Sequence, residues 1–371
     1  MSQTLIFTCP EITVEVRGRV GCITLNRPRA LNALSLPMIR ALTAALLAWR
    51  DDSQIDAVAI RGSNKEGVFG AFSAGGDIRF FHQAVLRGDG ELEDFFTEEY
   101  ALNHLIHAYP KPYIAFMDGI VMGGGMGVSQ GAKLRIVTPR TKMAMPETQI
   151  GLFPDVGGGW FLARCPGHSG EWLALTSEVI GAGEALAINL ADVCFDPARL
   201  PQAWDALVTL QAYDEVALQA WQGQFAVPAA PNTLLLDLME RTFSQPTVRE
   251  IVQALEQEGG EWAGKTASQL RTHSPLMQEV TLAQIRRGRD MTLAEELRME
   301  RDMVRHCFNT RHLDRFMAAT ETMEGIRALS IDKDQSPKWV PSRLEEVTPA
   351  MVRPFFVSPW PAHAHPLREL R

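Results

Sequence analysis

The sequence predicts an α/β protein with a helical C-terminal region. Short apolar runs of strand length alternate with longer helical patterns up to about residue 160, and the pattern is mainly helical from there on. Before the C-terminal region lies VPAAPN at 227–232, whose prolines and small residues are typical of a linker. A chain of 371 residues is long enough for more than one compact unit. We therefore predict a core domain at 1–227, a helical region at 234–356 and an irregular tail at 357–371.

Strands and helices in the first part follow from residue spacing and start signals. Residues 12–25 predict two short strands, because apolar and polar side chains alternate there. Ser35 is a suitable N-cap for a helix that ends near residue 49. A second helical pattern covers 91–108, on which Glu98 and Glu99 are expected to face solvent. Further strands are predicted from short apolar runs at 56–61, 113–117 and 134–137.

The C-terminal region predicts a series of helices. Two start signals, Ser274-Pro275 and Met291-Thr292, support their boundaries. The predicted helices are 234–243, 246–257, 266–273, 275–287, 292–309 and 323–329. In the proline-containing tail, His363 and His365 have no carboxylate or cysteine near them in sequence. A disordered tail is therefore predicted there, and not a metal site.

Composition and charge narrow the classes of function. The chain is 46% hydrophobic and 22% charged, as in an ordinary globular protein. Its net charge of −8 argues against nucleic-acid binding, which needs a basic face, although a few basic side chains suffice for a small phosphate-bearing ligand. The five cysteines are scattered and form no CxxC motif, so neither a disulfide framework nor a zinc site is predicted. This usage of cysteine indicates a reducing compartment.

The N-terminal stretch and the hydropathy of the chain bear on location. MSQTLIFTCPEITVEV has no basic region followed by a long apolar run, and it lacks the Arg-rich character of a transit peptide. No run of about eighteen apolar residues occurs, so no membrane span is expected. We expect a cytoplasmic bacterial protein, although a processed protein of the mitochondrial matrix would have the same appearance.

Two glycine-rich stretches follow predicted strands and suggest backbone donors. Gly76 lies in GAFSAGGDI, and Gly124 lies in a glycine run that opens a predicted helix. N–H groups at a helix start have no partner within the helix and carry partial positive charge. Two such donors aimed at one point would form an oxyanion hole for acyl chemistry. The alternative is that these glycines only allow tight turns and close helix packing. The pattern matches neither a P-loop nor GxGxxG.

Two carboxylates stand in an apolar, glycine-rich setting where solvated charge is not expected. Glu147 and Asp155 each follow a proline, which restricts the local backbone. If the two side chains meet in one pocket, burial and mutual repulsion would raise one pKa and leave the other group ionised. Such a pair can provide an acid and a base, or a carboxylate nucleophile. The alternative, that they cap neighbouring turns, is equally compatible with the pattern.

An ordered set of motifs resembles the crotonase, or enoyl-CoA hydratase/isomerase, superfamily. The motifs are LNRPRALNAL (25–34), AFSAGGDI (71–78), DGIVMGGGMGVS (118–129) and MPETQIGLFPDVGGG (145–159). Three motifs are similar to the pattern of its 3-hydroxyisobutyryl-CoA hydrolase branch, namely FFTEEYALNH (95–104), PETQIGLFPDVGGG (146–159) and IDKDQSPKW (331–339). The resemblance covers the chain from about residue 12 to residue 356. It implies a spiral of ββα units with a helical C-terminal region.

The resemblance also implies roles for individual residues. The acyl-CoA thioester carbonyl would bind between the N–H groups of Gly76 and Gly124. Glu147 matches the catalytic glutamate, Asp155 matches the aspartate of the hydrolase branch, and Glu99 matches a substrate-contacting acid. The implied partner is an acyl-CoA, so that CoA is part of the substrate and neither a separate cofactor nor a metal is expected. A homo-oligomer is expected as well.

One position departs from the hydratase pattern. Hydratases of this superfamily carry a second catalytic glutamate just after the glycine run, where this chain has Gly127. Hydration of a C=C bond uses two carboxylates around one water, so Gly127 favours thioester hydrolysis by Glu147 and Asp155. Two alternatives stay open, namely a hydratase or isomerase that acts on a short acyl-CoA, and a non-catalytic member that binds CoA or a protein.

Overall fold

The computed structural model describes residues 9–371 and divides them into two compact units. Each unit is built from three separate segments of the chain. The first unit runs to Gly76 and then takes Leu102–Met143 and Val179–Thr233. The second unit consists of Asp77–Ala101, Ala144–Glu178 and Leu234–Arg371. The boundaries drawn along the sequence, 1–227, 234–356 and 357–371, stay a prediction.

The structure contains short strands and many helices, as the mixed α/β prediction requires. The strands are β1 (Ile12–Arg17), β2 (Val20–Leu25), β3 (Ala57–Gly62), β4 (Tyr113–Met117), β5 (Ile120–Met122), β6 (Leu134–Val137), β7 (Lys142–Ala144), β8 (Val193–Cys194), β9 (Asn309–Thr310) and β10 (Arg315–Phe316). The first nine helices are α1 (Leu36–Arg50), α2 (Ile78–Arg87), α3 (Glu91–His107), α4 (Gly124–Gln130), α5 (Gly158–Leu162), α6 (Ser169–Thr176), α7 (Ala182–Ala187), α8 (Leu200–Leu207) and α9 (Glu215–Gly223). The C-terminal helices are α10 (Leu236–Phe243), α11 (Val248–Glu258), α12 (Gly260–Leu270), α13 (Pro275–Gly288), α14 (Leu293–Phe308), α15 (Glu321–Ile326) and α16 (Pro349–Val352).

The first unit is organised around a six-stranded sheet with the order β1-β2-β3-β4-β6-β8. β1 and β2 pair antiparallel as a hairpin, and the other neighbours pair parallel. β4 is buried along its whole length, as inner strands of parallel sheets are when both faces are covered. Aromatic side chains pack against the sheet, with Phe116 5.1 Å from Trp204 and Phe195 5.5 Å from Trp221 between ring centroids. The predicted strands of the first part are therefore confirmed.

An aromatic cluster forms part of the core of the second unit. Phe81 of α2 lies 4.8 Å from Phe95 of α3, and Phe96 of α3 lies 5.6 Å from Phe308 of α14, measured between ring centroids. Such pairs stabilise beyond the burial of their area, by about 0.5–1.5 kcal/mol each. The cluster fixes the first turns of α3 against α14.

The C-terminal helices appear where the sequence predicts them, with shifts at their ends. Ser274 accepts a hydrogen bond from Met277 N, and Thr292 forms a capping box with Glu295. The helix predicted from residue 266 begins earlier, at Gly260, because helix starts without an N-cap side chain are difficult to locate from sequence. Helix α2 was not predicted; it begins after Asp77, whose side chain accepts a hydrogen bond from Phe80 N.

The tail beyond residue 357 contains one short 3₁₀ turn and is packed, so the prediction of disorder is wrong. The Ser358 hydroxyl donates to Asp302 on α14 at 2.7 Å, and His365 is buried with Nε2 3.3 Å from an Asp302 carboxylate oxygen. Leu367 is buried too. The carboxylate partner of His365 is distant in sequence and was therefore missed. Within residues 9–371, none of the helices has the length and hydropathy to span a membrane.

Candidate functional site

The two predicted glycine-rich loops run side by side in the first unit. Ser73 pairs with Val121 in a parallel bridge, and Met122 N donates to Ser73 O at 2.9 Å. Gly125 is packed so closely that a β-carbon there would lie 2.5 Å from Ser73 O. The absence of a side chain at this position therefore allows the loop of the GGGMG run to approach the loop that contains Gly76.

The motif LNRPRALNAL supports the loop of Gly76 through one buried asparagine. The Asn32 amide donates to Ser63 O at 2.8 Å, to Ala71 O at 3.0 Å and to Phe72 O at 3.1 Å. Asn32 itself has a φ of 55°, a conformation that Asn tolerates better than most residues. The next residues continue the support, because Leu34 N donates to Gly75 O at 2.7 Å. Sequence reasoning found this motif but did not single out Asn32.

Gly76 and Gly124 lie on these adjoining loops. Gly75 adopts a φ of 100°, and a β-carbon at Gly75 would lie 3.3 Å from Gly124 N. In the part of the chain that the structure describes, the N–H groups of Gly76 and Gly124 make no hydrogen bond. The two predicted donors are thus close neighbours.

In the second unit, Glu147 begins a 3₁₀ turn that ends at Ile150. The turn is held by Thr148, whose hydroxyl lies 2.9 Å from Ser177 Oγ and 3.1 Å from His273 Nδ1. The hydroxyl of Thr322 donates to the carbonyl of the following residue, Gly151, at 2.6 Å. These contacts fix both ends of the turn. The backbone position from which the Glu147 side chain extends is therefore held in place, in a buried setting.

Asp155 lies on the next loop and accepts one side-chain hydrogen bond. The Tyr100 hydroxyl of α3 donates to Asp155 Oδ2 at 2.8 Å. Tyr100 directly follows Glu99, whose side chain is only 2% exposed. The expectation that Glu99 faces solvent is therefore wrong. The spacing of residues along the helix already indicated a buried position for Glu99. Glu99 stands four residues after Phe95, on the face of the helix that is packed.

Glu99, Glu147 and Asp155 form one buried acidic cluster in the second unit. Burial raises the pKa of Glu147 well above its usual value, and the nearby charge of Asp155 raises it further. Glu99 behaves likewise, because burial and the charges of Asp155 and Glu147 raise its pKa. Burial raises the pKa of Asp155 to about 6, opposed by the hydrogen bond from Tyr100. Of the three acids, Asp155 therefore ionises at the lowest pH, and it is the ionised group at neutral pH.

Two further glutamates and a glutamine lie behind the Asp155 loop and were missed by sequence reasoning. Glu300 accepts a hydrogen bond from Gly157 N at 2.8 Å, and Gln284 Nε2 donates to Pro154 O at 2.8 Å. Glu296 lies beside both, 3.2 Å from Gln284 Nε2. The available signal was the spacing of Glu296 and Glu300, which are one helical turn apart on the apolar face of α14. No group of three or more His, Cys, Asp or Glu side chains suited to a metal ion occurs within residues 9–371.

The mostly parallel sheet, the adjoining glycine loops and the helical C-terminal region define a crotonase-type α/β protein. A family model described as enoyl-CoA hydratase/isomerase matches residues 20–356. The chain belongs to the enoyl-CoA hydratase/isomerase family.

Individual relatives agree with this family and cover nearly the whole chain. A protein of Danio rerio is 40% identical over 355 residues, which cover 94% of this chain and 90% of that protein. A protein of Gallus gallus is 38% identical over 349 residues, with coverages of 92% and 87%. Both are named 3-hydroxyisobutyryl-CoA hydrolase, mitochondrial. A crystal structure of a carnitinyl-CoA dehydratase from Mycobacterium thermoresistibile superposes with a TM-score of 0.85 at 33% identity, covering 98% of this chain and 100% of that one.

Proposed function

We propose that this protein hydrolyses an acyl-CoA thioester, with 3-hydroxyisobutyryl-CoA as the substrate and 3-hydroxyisobutyrate and CoA as the products, a step of valine catabolism. The observation that carries the proposal is the buried cluster of Glu99, Glu147 and Asp155, in which the pKa of each acid is raised. Perturbed carboxylates grouped in this way are typical of sites of acid–base chemistry. The names of the relatives support the choice of substrate.

The proposed reaction assigns a role to each predicted residue. The N–H groups of Gly76 and Gly124 bind the thioester oxygen and stabilise the oxyanion as it develops; one such donor is typically worth about 10²–10³ in rate. Glu147 either attacks the carbonyl carbon to give a mixed anhydride, which water then hydrolyses to the acid and free Glu147, or removes a proton from the attacking water. Asp155 either orients the water or transfers a proton to the departing sulfur. The sulfur leaves as the thiol of CoA.

Glu99 accounts for selection of a hydroxylated acyl group. Its carboxyl group is buried, and its Oε1 has no hydrogen-bond partner within residues 9–371. A buried polar atom without a partner is costly, at about 1–3 kcal/mol, and a substrate hydroxyl would relieve that cost. We assign Glu99 to the 3-hydroxyl group of the substrate. An acyl-CoA without this hydroxyl is then bound less well.

A hydratase or dehydratase is the second candidate, since the solved relative from Mycobacterium thermoresistibile is named a carnitinyl-CoA dehydratase. Gly127, which lies buried in α4, weighs against it because this position offers no second carboxylate beside the glycine run. A non-catalytic member is the third candidate. It gives no physical reason for three acids with raised pKa values in one buried cluster.

Thiol release from 3-hydroxyisobutyryl-CoA tests the proposal, with wild type measured beside Glu147→Gln. Wild type is expected to release CoA, and the variant is expected to lose about 10²-fold or more in kcat, as for removal of a general base or nucleophile. The matched control is Glu279→Gln, a largely buried glutamate of α13 whose carboxylate accepts a hydrogen bond from Val248 N at 2.9 Å. Its activity is expected to stay within about twofold of wild type, as for a site away from the chemistry.

Other outcomes separate the candidates. Consumption of crotonyl-CoA without thiol release would replace the hydrolase proposal with a hydratase. Full thioesterase activity of Glu147→Gln would remove Glu147 from the mechanism. Inertness of folded wild type towards both substrates would favour the non-catalytic member or another acyl-CoA.

Compartment, assembly and cofactors stay predictions. The relatives named above are described as mitochondrial, which supports the matrix option over a bacterial cytoplasmic one. Imaging of a tagged full-length protein in its native cell tests the location, and light scattering after size-exclusion chromatography tests the predicted homo-oligomer. The proposed hydrolysis requires only the acyl-CoA and water as reactants.

A further inference from the structure

The loop that carries Asp155 contains a strained residue directly after it. Val156 adopts a φ of 58°, in the left-handed region that β-branched residues avoid. A non-glycine residue in this region is strained and persists only where the surrounding structure fixes it. The next residue, Gly157, also has a positive φ, of 86°, which glycine adopts freely. Something other than local preference must therefore hold this loop in place.

Two polar side chains hold the loop on both sides of Val156. On one side, Gln284 Nε2 donates to Pro154 O at 2.8 Å. On the other side, the Glu300 carboxylate accepts from Gly157 N at 2.8 Å and from Gly159 N at 3.2 Å. Glu300 and Gln284 are joined in turn, with Gln284 Nε2 3.0 Å from Glu300 Oε1. The backbone around Asp155 is thus fastened at three points to α13 and α14.

The fit of the loop against these side chains is close. A β-carbon at Gly159 would overlap Glu296 Oε1 and would lie 2.8 Å from Gln284 Nε2. On α13, Gly288 faces the Gly159 carbonyl, and a β-carbon there would overlap it. Both glycines allow the loop to sit directly on the polar side chains, so small changes in those side chains are transmitted to the loop.

The two glutamates behind the loop also act on the charge state of Asp155. Burial raises the pKa of both Glu296 and Glu300, and the charge of Glu296 raises that of Glu300 further. Such a pair holds one proton between its members at neutral pH and leaves one negative charge. The other groups that act on this pair are Asp155, Tyr100 and Arg164.

We propose that Glu300 and Gln284, with Glu296 behind them, form a clamp that positions Asp155 for thioester hydrolysis. These residues do not touch the substrate; they fix the strained loop from which the Asp155 side chain reaches the cluster. The inference rests on the proposed function, because it gives Asp155 a part in that reaction. It adds three positioning residues, of which the two glutamates lie 12 and 16 positions after Gln284.

The test measures Glu300→Gln beside the matched control Glu279→Gln introduced above. Both changes replace a glutamate that accepts a helix-start N–H bond, Glu300 being buried and Glu279 largely so, but only Glu300 contacts the Asp155 loop. With 3-hydroxyisobutyryl-CoA, Glu300→Gln is expected to lower kcat by about 10–10²-fold with KM within about twofold, as for a misplaced catalytic group. The acid limb of its pH–rate profile is expected to move, because the surroundings that set the pKa of Asp155 change when the loop is released. The control is expected to change neither kcat nor the pH profile.

Hydrogen exchange of the peptide that covers 154–160 gives a readout that does not depend on activity. Exchange in this peptide is expected to become about tenfold faster or more in Glu300→Gln and to stay unchanged in Glu279→Gln, because loss of the bonds lowers the local opening free energy. Gln284→Met, which keeps the volume but removes the donor to Pro154, is the second variant in case Glu300→Gln does not fold. It is expected to lower kcat and accelerate exchange in the same direction.

The outcomes distinguish the clamp from the proposed function. If wild type releases no thiol, the proposed function is wrong, and the exchange measurement still decides whether the clamp holds the loop. If wild type is active and the variants keep its kcat, pH profile and exchange, the clamp is wrong and the function stands. A fall in kcat with unchanged pH profile and unchanged exchange would also overturn the inference, since it would indicate a merely structural effect.

Discussion

Replacing Asp155 by asparagine should stabilise the protein at alkaline pH while it reduces activity. Asp155 is buried, and its pKa is raised from 3.8 to about 6, chiefly by burial. An acid whose folded pKa lies above its unfolded pKa destabilises the folded state whenever it is ionised. Asparagine has nearly the same shape, keeps one oxygen for the Tyr100 hydroxyl and cannot ionise.

The size of the effect follows from the two pKa values. Each pKa unit corresponds to about 1.4 kcal/mol, so ionised Asp155 costs about 3 kcal/mol above pH 6. The buried amide N–H group of the asparagine costs about 1 kcal/mol, because it replaces an acceptor. The net gain is about 2 kcal/mol at pH 8. It falls as the pH drops from about 6 towards 3.8, where wild type regains its stability by protonation, and it is below about 1 kcal/mol at pH 5.

Urea denaturation at pH 8 and pH 5 measures this difference. The eight tryptophans of the chain report unfolding by fluorescence. The control is Asp290→Asn, an exposed aspartate just after α13, for which a change within about 0.5 kcal/mol is expected at both pH values. Thiol release by Asp155→Asn is expected to fall by about 10²-fold or more in kcat, as for loss of a proton-transfer group.

Two results would refute this reasoning. A variant that is less stable than wild type at pH 8 would mean that ionised Asp155 is not costly where it lies. A gain of the same size at both pH values would mean that the effect does not come from the ionisation of Asp155. A fall in the gain from pH 8 to pH 5 is the specific signature of an acid with a raised pKa.

Two further substitutions test the supports of the site. Gly159→Ala is expected to lower stability by about 1–3 kcal/mol, because a β-carbon would overlap Glu296 Oε1; thermal denaturation checks this, and an unchanged melting temperature would contradict the close fit. Asn32→Asp is expected to cost about 3 kcal/mol or more, since it removes both amide donors and places a charge against the carbonyls of Ala71 and Phe72. Urea denaturation checks the second change, and stability equal to wild type would show that these bonds are dispensable.

The strands and most helices were predictable because their signals are local. β4 is a continuous apolar run, and α14 follows a capping box at Thr292, so each element is specified within its own residues. Helix α2 was missed because its start lies inside a motif of small residues, where Asp77 was not recognised as a cap. The tail was judged from its prolines alone, although its packing depends on Asp302, which is far away in sequence.

The site was predictable only in part, because some of its contacts join residues that are far apart in the sequence. Glu147 and Asp155 belong to one motif and could be found by reading along the chain. Glu300 contacts Gly157 from 143 positions away, and a glutamate on an amphipathic helix normally faces solvent. Only its position on the apolar face of α14 distinguishes it, and that face cannot be assigned a partner from the sequence alone. Long-range polar contacts of this kind require the folded structure.

The coupled pKa values in the acidic cluster restrict the charge states that the proposed reaction can use. In the proposed reaction Glu147 must be ionised to attack the thioester or to act as a base, yet burial and the charge of Asp155 raise its pKa. Asp155 has the lower pKa of the two and is therefore the weaker base, so it takes up a proton from Glu147 only at a cost in free energy. Once Asp155 is protonated, the charge that opposed ionisation of Glu147 is gone, and the pKa of Glu147 falls towards the value set by burial alone. The two acids therefore titrate as a pair, and each depends on the other for its charge state.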